Sequence, residues 1–204
     1  SPKFAGLELS GMYGFGEVAG DSSNGRNISA GATYTNGPLR AALAYSKLNN
    51  RAAGYGGAFL QSLGLGTAAT VFNSLSTTAA GVGYTIGPVR LNADYTQVKI
   101  SLPTGVTPKQ KNFDLGAAWR YAAADTLNFG YGLSKLESAR WNTFSLSHVH
   151  AFSKRTEFYV QAAYQRAGGS ARFAVMNGTG AGGATGVSGS DTQLVTTVGM
   201  HHSF

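Results

Sequence analysis

The residues able to do chemistry in this chain are few, and their spacing limits what they could do. His148 and His150 stand two apart, so on a β-strand they share one face and could hold a metal ion or pass a proton. A metal site needs a third ligand, and a hydrolytic site needs a nucleophile or activated water with a carboxylate in reach. No carboxylate lies close to this pair in sequence, and the adjacent His201 and His202 point to opposite faces of a strand. The glycines lack the strand, lysine and helix context of a phosphate-cradling loop. The net charge is +7, and the positive residues are dispersed along the chain and not gathered into a stripe, which argues against nucleic acid. We therefore expect no catalytic constellation, no metal and no cofactor. Cysteine is absent, which fits an oxidising compartment but discriminates little.

The elements that must position these residues are strands. Apolar residues recur with a period of two in Leu7, Leu9, Tyr13 and Phe15, then in Ile28, Ala30, Ala32 and Tyr34, and in Leu39, Ala41, Leu43 and Tyr45. The pattern returns in Val89 to Tyr95, Phe113 to Tyr121, Leu127 to Leu133 and Phe158 to Tyr164. The opposite face is polar, charged or small: Glu8, Ser10, Arg40, Arg90, Asn92, Asp94, Asp114, Arg120, Asn128, Gly130, Gly132 and Gln161. Ten strands are predicted, over 7–15, 27–35, 39–48, 74–86, 89–100, 111–121, 126–137, 142–152, 156–167 and 192–204. A weak internal repeat, Gly37-Pro38-Leu39-Arg40 and Gly87-Pro88-Val89-Arg90, opens two of them.

Alternation alone also fits a β-sandwich with one face in water. Three features favour an all-β, antiparallel transmembrane β-barrel. Apolar faces end repeatedly in tyrosine, at Tyr13, Tyr34, Tyr45, Tyr84, Tyr95, Tyr131 and Tyr164, as rings at a membrane interface would. The polar face is charged and glycine-rich, which suits a water-filled interior. Short connectors at 36–38, 87–88, 122–125 and 153–155 take turns with longer ones at 17–26, 49–73, 101–110 and 168–190, only 138–140 being a short member of the second class. Such a barrel places short turns on the periplasmic side and long loops outside. A mean hydropathy of -0.08 is compatible with it, because each lipid-facing residue alternates with one facing water. The glycine-rich 168–190 segment, short of charge, reads as a mobile outer loop.

The opening Ser1-Pro2-Lys3-Phe4-Ala5-Gly6-Leu7, Met12 to Glu17, the turn Asn36 to Leu39, Leu133 to Lys135, Phe152 to Tyr159, Ala162 to Ala167 and the terminal Gly199-Met200-His201-His202-Ser203-Phe204 together resemble the trimeric general porins of Gram-negative bacteria, most of all the β-proteobacterial type. The family usually carries arginine or lysine where His201 and Ser203 stand, and an aromatic near His150. The resemblance covers essentially the whole chain, read as one domain over 1–204. It implies that residue 1 lies at a periplasmic turn within a sixteen-stranded barrel and that the strands here are its last ten. A complete ten-stranded barrel, serving as an adhesin or hydrolase, is the alternative.

The resemblance implies an outer-membrane channel for passive diffusion of small hydrophilic solutes and ions, assembled as a homotrimer. Phe204 is then the expected signal to the barrel-assembly machinery. On the polar face, Arg40, Arg90 and Arg120 lie near the short turns, with Glu8, Asp94 and Asp114 as partial counterweights. They are the expected pore lining and imply a mild preference for anions. The alternative is that each arginine pairs with a neighbouring acid and stiffens the wall. Lys47, Lys99 and Lys135 share the lipid-facing parity and lie beyond Tyr45, Tyr95 and Tyr131. Two residues of strand rise about 7 Å, so these amines could reach the phosphates of outer-membrane lipid or lipopolysaccharide, or snorkel into water.

Overall fold

The computed structural model describes residues 3–16, 20, 23–52, 71–176 and 188–203. Eleven strands follow in chain order: β1 (Lys3–Phe4), β2 (Leu7–Gly14), β3 (Asn27–Asn36), β4 (Leu39–Ala52), β5 (Val71–Ile86), β6 (Val89–Ser101), β7 (Lys109–Arg120), β8 (Asp125–Leu136), β9 (Ala139–Ala151), β10 (Thr156–Gly169) and β11 (Thr192–His202). Sheet order equals chain order throughout. No helix among the described residues is long and apolar enough to cross a membrane, which says nothing about crossing by strands. The ten expected strands are all present within a few residues of their expected bounds. Only the two-residue β1, too short to show a period, is added.

The described residues divide into two compact units, one drawn from 3–81 and 95–112, the other from 82–94, 113–176 and 188–203. In the first, β1 to β4 form an antiparallel ladder in which Leu7 opposes Tyr34, Leu9 opposes Ala32, and Ala30 opposes Tyr45. The β3–β4 connection is the tightest possible. Asn36 pairs with Leu39, leaving Gly37 at φ 55 and Pro38 as the two central residues. Positive φ at the first position and a ring-fixed φ at the second are what a type II′ hairpin turn asks for. In the same unit Phe72, Ile100 and Leu102 form a small buried cluster, with Leu75 and Val98 against it. Leu102 N–H donates to Val106 O and Ile100 N–H to Pro108 O, so the 102–108 connection is folded back on the strands.

In the second unit β8 to β11 form a longer ladder. Of the segment expected to be a mobile loop, residues 170–176 are held to the strands. Trp141 Nε1 donates to Phe173 O at 2.9 Å, Val175 N–H to the Gln165 side-chain oxygen at 2.6 Å, and Met176 N–H to that of Gln193 at 3.0 Å. Ala174 exchanges backbone bonds with the returning segment, its N–H to Ser190 O and its carbonyl from Ser188 N–H. Residues 170–176 therefore lie as a shelf on the polar face of β9 to β11. Trp141, Ala139, Leu136, Ala167 and Ala174 are buried beneath or within it. Residues 177–187 fall outside the described residues.

Candidate pore lining and outer face

The registers sort every side chain of the two ladders onto one of two faces, since directly opposed residues share a face. In the second unit the apolar face is a grid. From the short-turn end upward its rows read Asp125, His150, Phe158, Met200, then Leu127, His148, Val160, Val198, then Phe129, Leu146, Ala162, Thr196, then Tyr131, Phe144, Tyr164, Leu194. Above these come Leu133, Asn142, Arg166, Thr192 and finally Lys135, Arg140, Gly168. Leu194, Val198 and Met200 are 65%, 64% and 68% exposed. A contiguous apolar surface of that kind is a liability in water and a requirement against lipid. Asp125 to Lys135, the charged brackets of the band on β8, span ten residue steps. That is roughly 34 Å along the strand, or about 25 Å along the membrane normal at a tilt of about 40°, the height of a barrel's apolar band.

The opposite face of this unit carries Asn128, Gly130, Gly132, Thr143, Ser145, Ser147, Gln161 and Gln165. Its polar side chains bond to one another along the wall, Asn128 Nδ2 to Ser147 Oγ at 3.0 Å and Gln165 Nε2 to Thr143 Oγ1 at 3.0 Å. Asp114 lies flat across Gly132, its Oδ1 2.7 Å from where a Cβ would stand, so the glycine is the seat of the carboxylate. Asp94 is the charged neighbour that acts on Asp114, and it accepts from Asn92 Nδ2 at 3.1 Å.

The arginines occupy a different level of the strands. Arg40 and Arg90 are the second residues of β4 and β6, Arg120 is the last of β7, and all three are exposed. Arg90 is four residues from Asp94 and Arg120 six from Asp114, about 13 and 20 Å along a strand. None of the three guanidinium groups is held in an ion pair among the described residues. Among the described residues, none of the three pairs with a neighbouring acid. Glu8 shares the face of Thr33 and is opposed in register to Lys3.

On the apolar face, Lys47 opposes Ile28 two positions beyond Tyr45, and Lys135 opposes Arg140. Lys99 and Lys135 are exposed and Lys47 is half-buried. Phe204 lies outside the described residues.

Short-range reading missed one constellation. Asp125 is 23 and 25 residues from the two histidines, yet its Oδ1 is 3.1 Å from His148 Nε2 and 2.8 Å from His150 Nδ1. Tyr121 Oη bonds to the same His148 Nε2 at 2.8 Å and its ring stacks on the imidazole. The signal was the β8–β9 register, which places Asp125 opposite His150 once the hairpin is drawn. No group of three metal-ligating side chains able to hold an ion occurs among the described residues. On the polar face, His201 Nδ1 stands 3.9 Å from Glu157, while His202 bonds Thr156 Oγ1 at 2.8 Å on the other face.

The chain is similar to known proteins. A family model described as Gram-negative porin matches residues 1–170. Outer membrane porin protein 32 of Delftia acidovorans is 26% identical over 210 residues, covering all of this chain and 54% of its own length. An anion-selective porin from Comamonas acidovorans superposes with a TM-score of 0.77 at 22% identity over the whole chain and 57% of its own. A further solved porin gives 0.65 at 11% identity, over the whole chain and 60% of its own length. The chain thus spans a little over half the length of these proteins, and its fold is that of a porin barrel wall. It belongs to the Gram-negative porin family, and its place is the outer membrane.

Proposed function

We propose that the whole protein containing this chain forms a water-filled channel for passive diffusion of small hydrophilic solutes and ions, with a mild preference for anions. The observation that carries this is the division of the strands of each unit into an apolar and a polar face, with Arg40 in one unit and Arg90 and Arg120 in the other without partners among the described residues. A cation fixed on a water-filled wall raises the local concentration of anions. The relative from Comamonas is an anion-selective porin, which supports the same reading. Porin membership points to a non-enzymatic channel, and the likeness along the whole chain does not favour an adhesin or a hydrolase.

On this reading the protein assembles as a homotrimer, Phe204 addresses the barrel-assembly machinery, and Lys47, Lys99 and Lys135 reach toward lipid phosphates, those of lipopolysaccharide included. Planar-bilayer recording of the whole protein tests the channel. Conductance steps, with a reversal potential in a salt gradient displaced toward that of the anion, are expected. An absence of steps refutes the channel, and a displacement toward the cation refutes the selectivity.

A further inference from the structure

The upper two rows of the apolar face hold a set of cations that porin conduction does not use. Lys135 on β8 and Arg140 on β9 are directly opposed, and Arg166 on β10 is opposed to Asn142, one row below Arg140. Directly opposed side chains have Cβ atoms about 5 Å apart and diagonal ones about 7 Å, so three positive charges share a patch three strands wide. Like charges placed opposite one another destabilise a sheet. All three side chains are exposed, and none is held by an ion pair or hydrogen bond among the described residues. Among the described residues, Glu137 in the turn between β8 and β9 and Asp191 ahead of β11 are the acidic groups at this end of β8 to β11, and against three cations the patch retains an excess of positive charge.

Two further observations indicate that the patch is arranged. Gly168 stands opposite Arg140, and a Cβ there would lie 2.9 Å from Arg140 Nε and 3.5 Å from its Cγ. The missing side chain leaves the space in which the Arg140 side chain lies over β10. Beside it, Tyr131 Oη donates to Asn142 Oδ1 at 2.9 Å, which uses the acceptor of that amide and leaves its NH₂ as a donor in the row of Arg166. A surface with two guanidinium groups, an ammonium and an amide donor matches the oxygens of a phosphate. Immediately below lie Tyr131, Phe144, Tyr164 and Leu194, the upper edge of the apolar band. A ligand seated here has acyl-chain territory on one side and water on the other.

We propose that Lys135, Arg140, Arg166 and the Asn142 amide bind the phosphate of a lipid headgroup in the leaflet at the long-loop end of the wall. The proposal rests on the reading that the apolar face meets lipid, and it narrows three separate lysine contacts to one composite site on adjacent strands. Two guanidinium groups on one phosphate grip it through paired N–H donors, which a lone snorkelling lysine cannot do.

The test is native mass spectrometry of the whole protein released from detergent after incubation with diphosphoryl lipid A. Wild type is expected to retain the lipid, while R140Q and the triple variant K135Q/R140Q/R166Q bind it about tenfold more weakly or worse, as loss of charge-assisted hydrogen bonds implies. Gly168→Val leaves every charge in place but fills the space used by Arg140, and it is expected to weaken retention as well. Retention equal to wild type in R140Q and in the triple variant overturns the proposal. Displacement of the lipid by inorganic phosphate at matched phosphate concentration also overturns it, since the site would then take a free anion. Single-channel conductance of the triple variant is expected to be unchanged. A changed conductance with normal lipid retention overturns the outward placement of the site. Lipid retention by a wild-type protein that gives no conductance steps refutes the channel and leaves the lipid site standing.

Discussion

Replacing Gln165 by leucine is the most direct probe of the shelf formed by residues 170–176. Gln165 is 8% exposed, accepts from Val175 N–H at 2.6 Å and donates to Thr143 Oγ1 at 3.0 Å. Leucine keeps most of the volume and removes both bonds, so Val175 N–H loses its acceptor while the shelf stays closed. Leaving a buried donor without a partner costs roughly 1–3 kcal/mol. If that cost falls wholly on the closed form, the opening equilibrium of the segment rises roughly 5- to 150-fold. Hydrogen exchange of the whole protein in detergent, followed on peptides containing Val175 and Met176, reads this ratio directly. Gln193→Leu, which removes the acceptor of Met176 N–H, is expected to act in the same direction. Gln161, on the same face of β10 but opposed to Ser147 and Thr197, is the control, and Gln161→Leu is expected to leave the peptide unchanged. Unaltered protection in both Gln165→Leu and Gln193→Leu refutes the claim that these two side chains hold the shelf.

Neutralising Arg40, Arg90 and Arg120 together with glutamine is expected to move the reversal potential toward the cation value. The change should be large at 0.01 M salt and nearly absent at 1 M, because the screening length falls from about 30 to about 3 Å; a shift independent of salt would contradict a field effect. Trp141→Phe removes the indole N–H bonded to Phe173 O and is expected to raise exchange around Phe173 about fivefold, the effect of one ordinary hydrogen bond. Asp125→Ala leaves His148 and His150 without their shared carboxylate and is expected to lower the urea midpoint. A double-mutant cycle with His150→Ala should show coupling between the two sites, and strict additivity would exclude the contact as a source of stability.

The strands were legible in the sequence because alternation is a local property. Leu127, Phe129, Tyr131 and Leu133 repeat every second residue, and the pleat alone sends them to one face. The level of the arginines was legible too, since Arg40 and Arg90 follow the turns Gly37-Pro38 and Gly87-Pro88 directly. What could not be read rests on register between separate strands. The meeting of Asp125 with His148 and His150 depends on where the β8–β9 hairpin closes, and a count displaced by one residue would send Asp125 to the other face. The shelf is less legible still. Its residues 170–176 carry no periodicity, and their anchors Trp141, Gln165 and Gln193 come from three strands spread over more than fifty positions. The patch of Lys135, Arg140 and Arg166 was seen in one of its three members, because only the registers bring the other two beside it.

The bonds of Tyr121, Asp125, His148 and His150 have a consequence for how this wall finds its pairing during assembly. A slip of one residue between β8 and β9 turns every apolar side chain to the wrong face and is rejected by solvent alone. A slip of two restores the faces, so neither lipid nor water distinguishes it from the native pairing. It would, however, carry Asp125 off His150 and break the two-residue connection across which Leu136 pairs with Ala139. The four side chains, at the short-turn end of these strands, add to the discrimination that the turn supplies from the other end. Turn and cluster together mark one even-numbered alignment among several that hydrophobic sorting would leave equivalent.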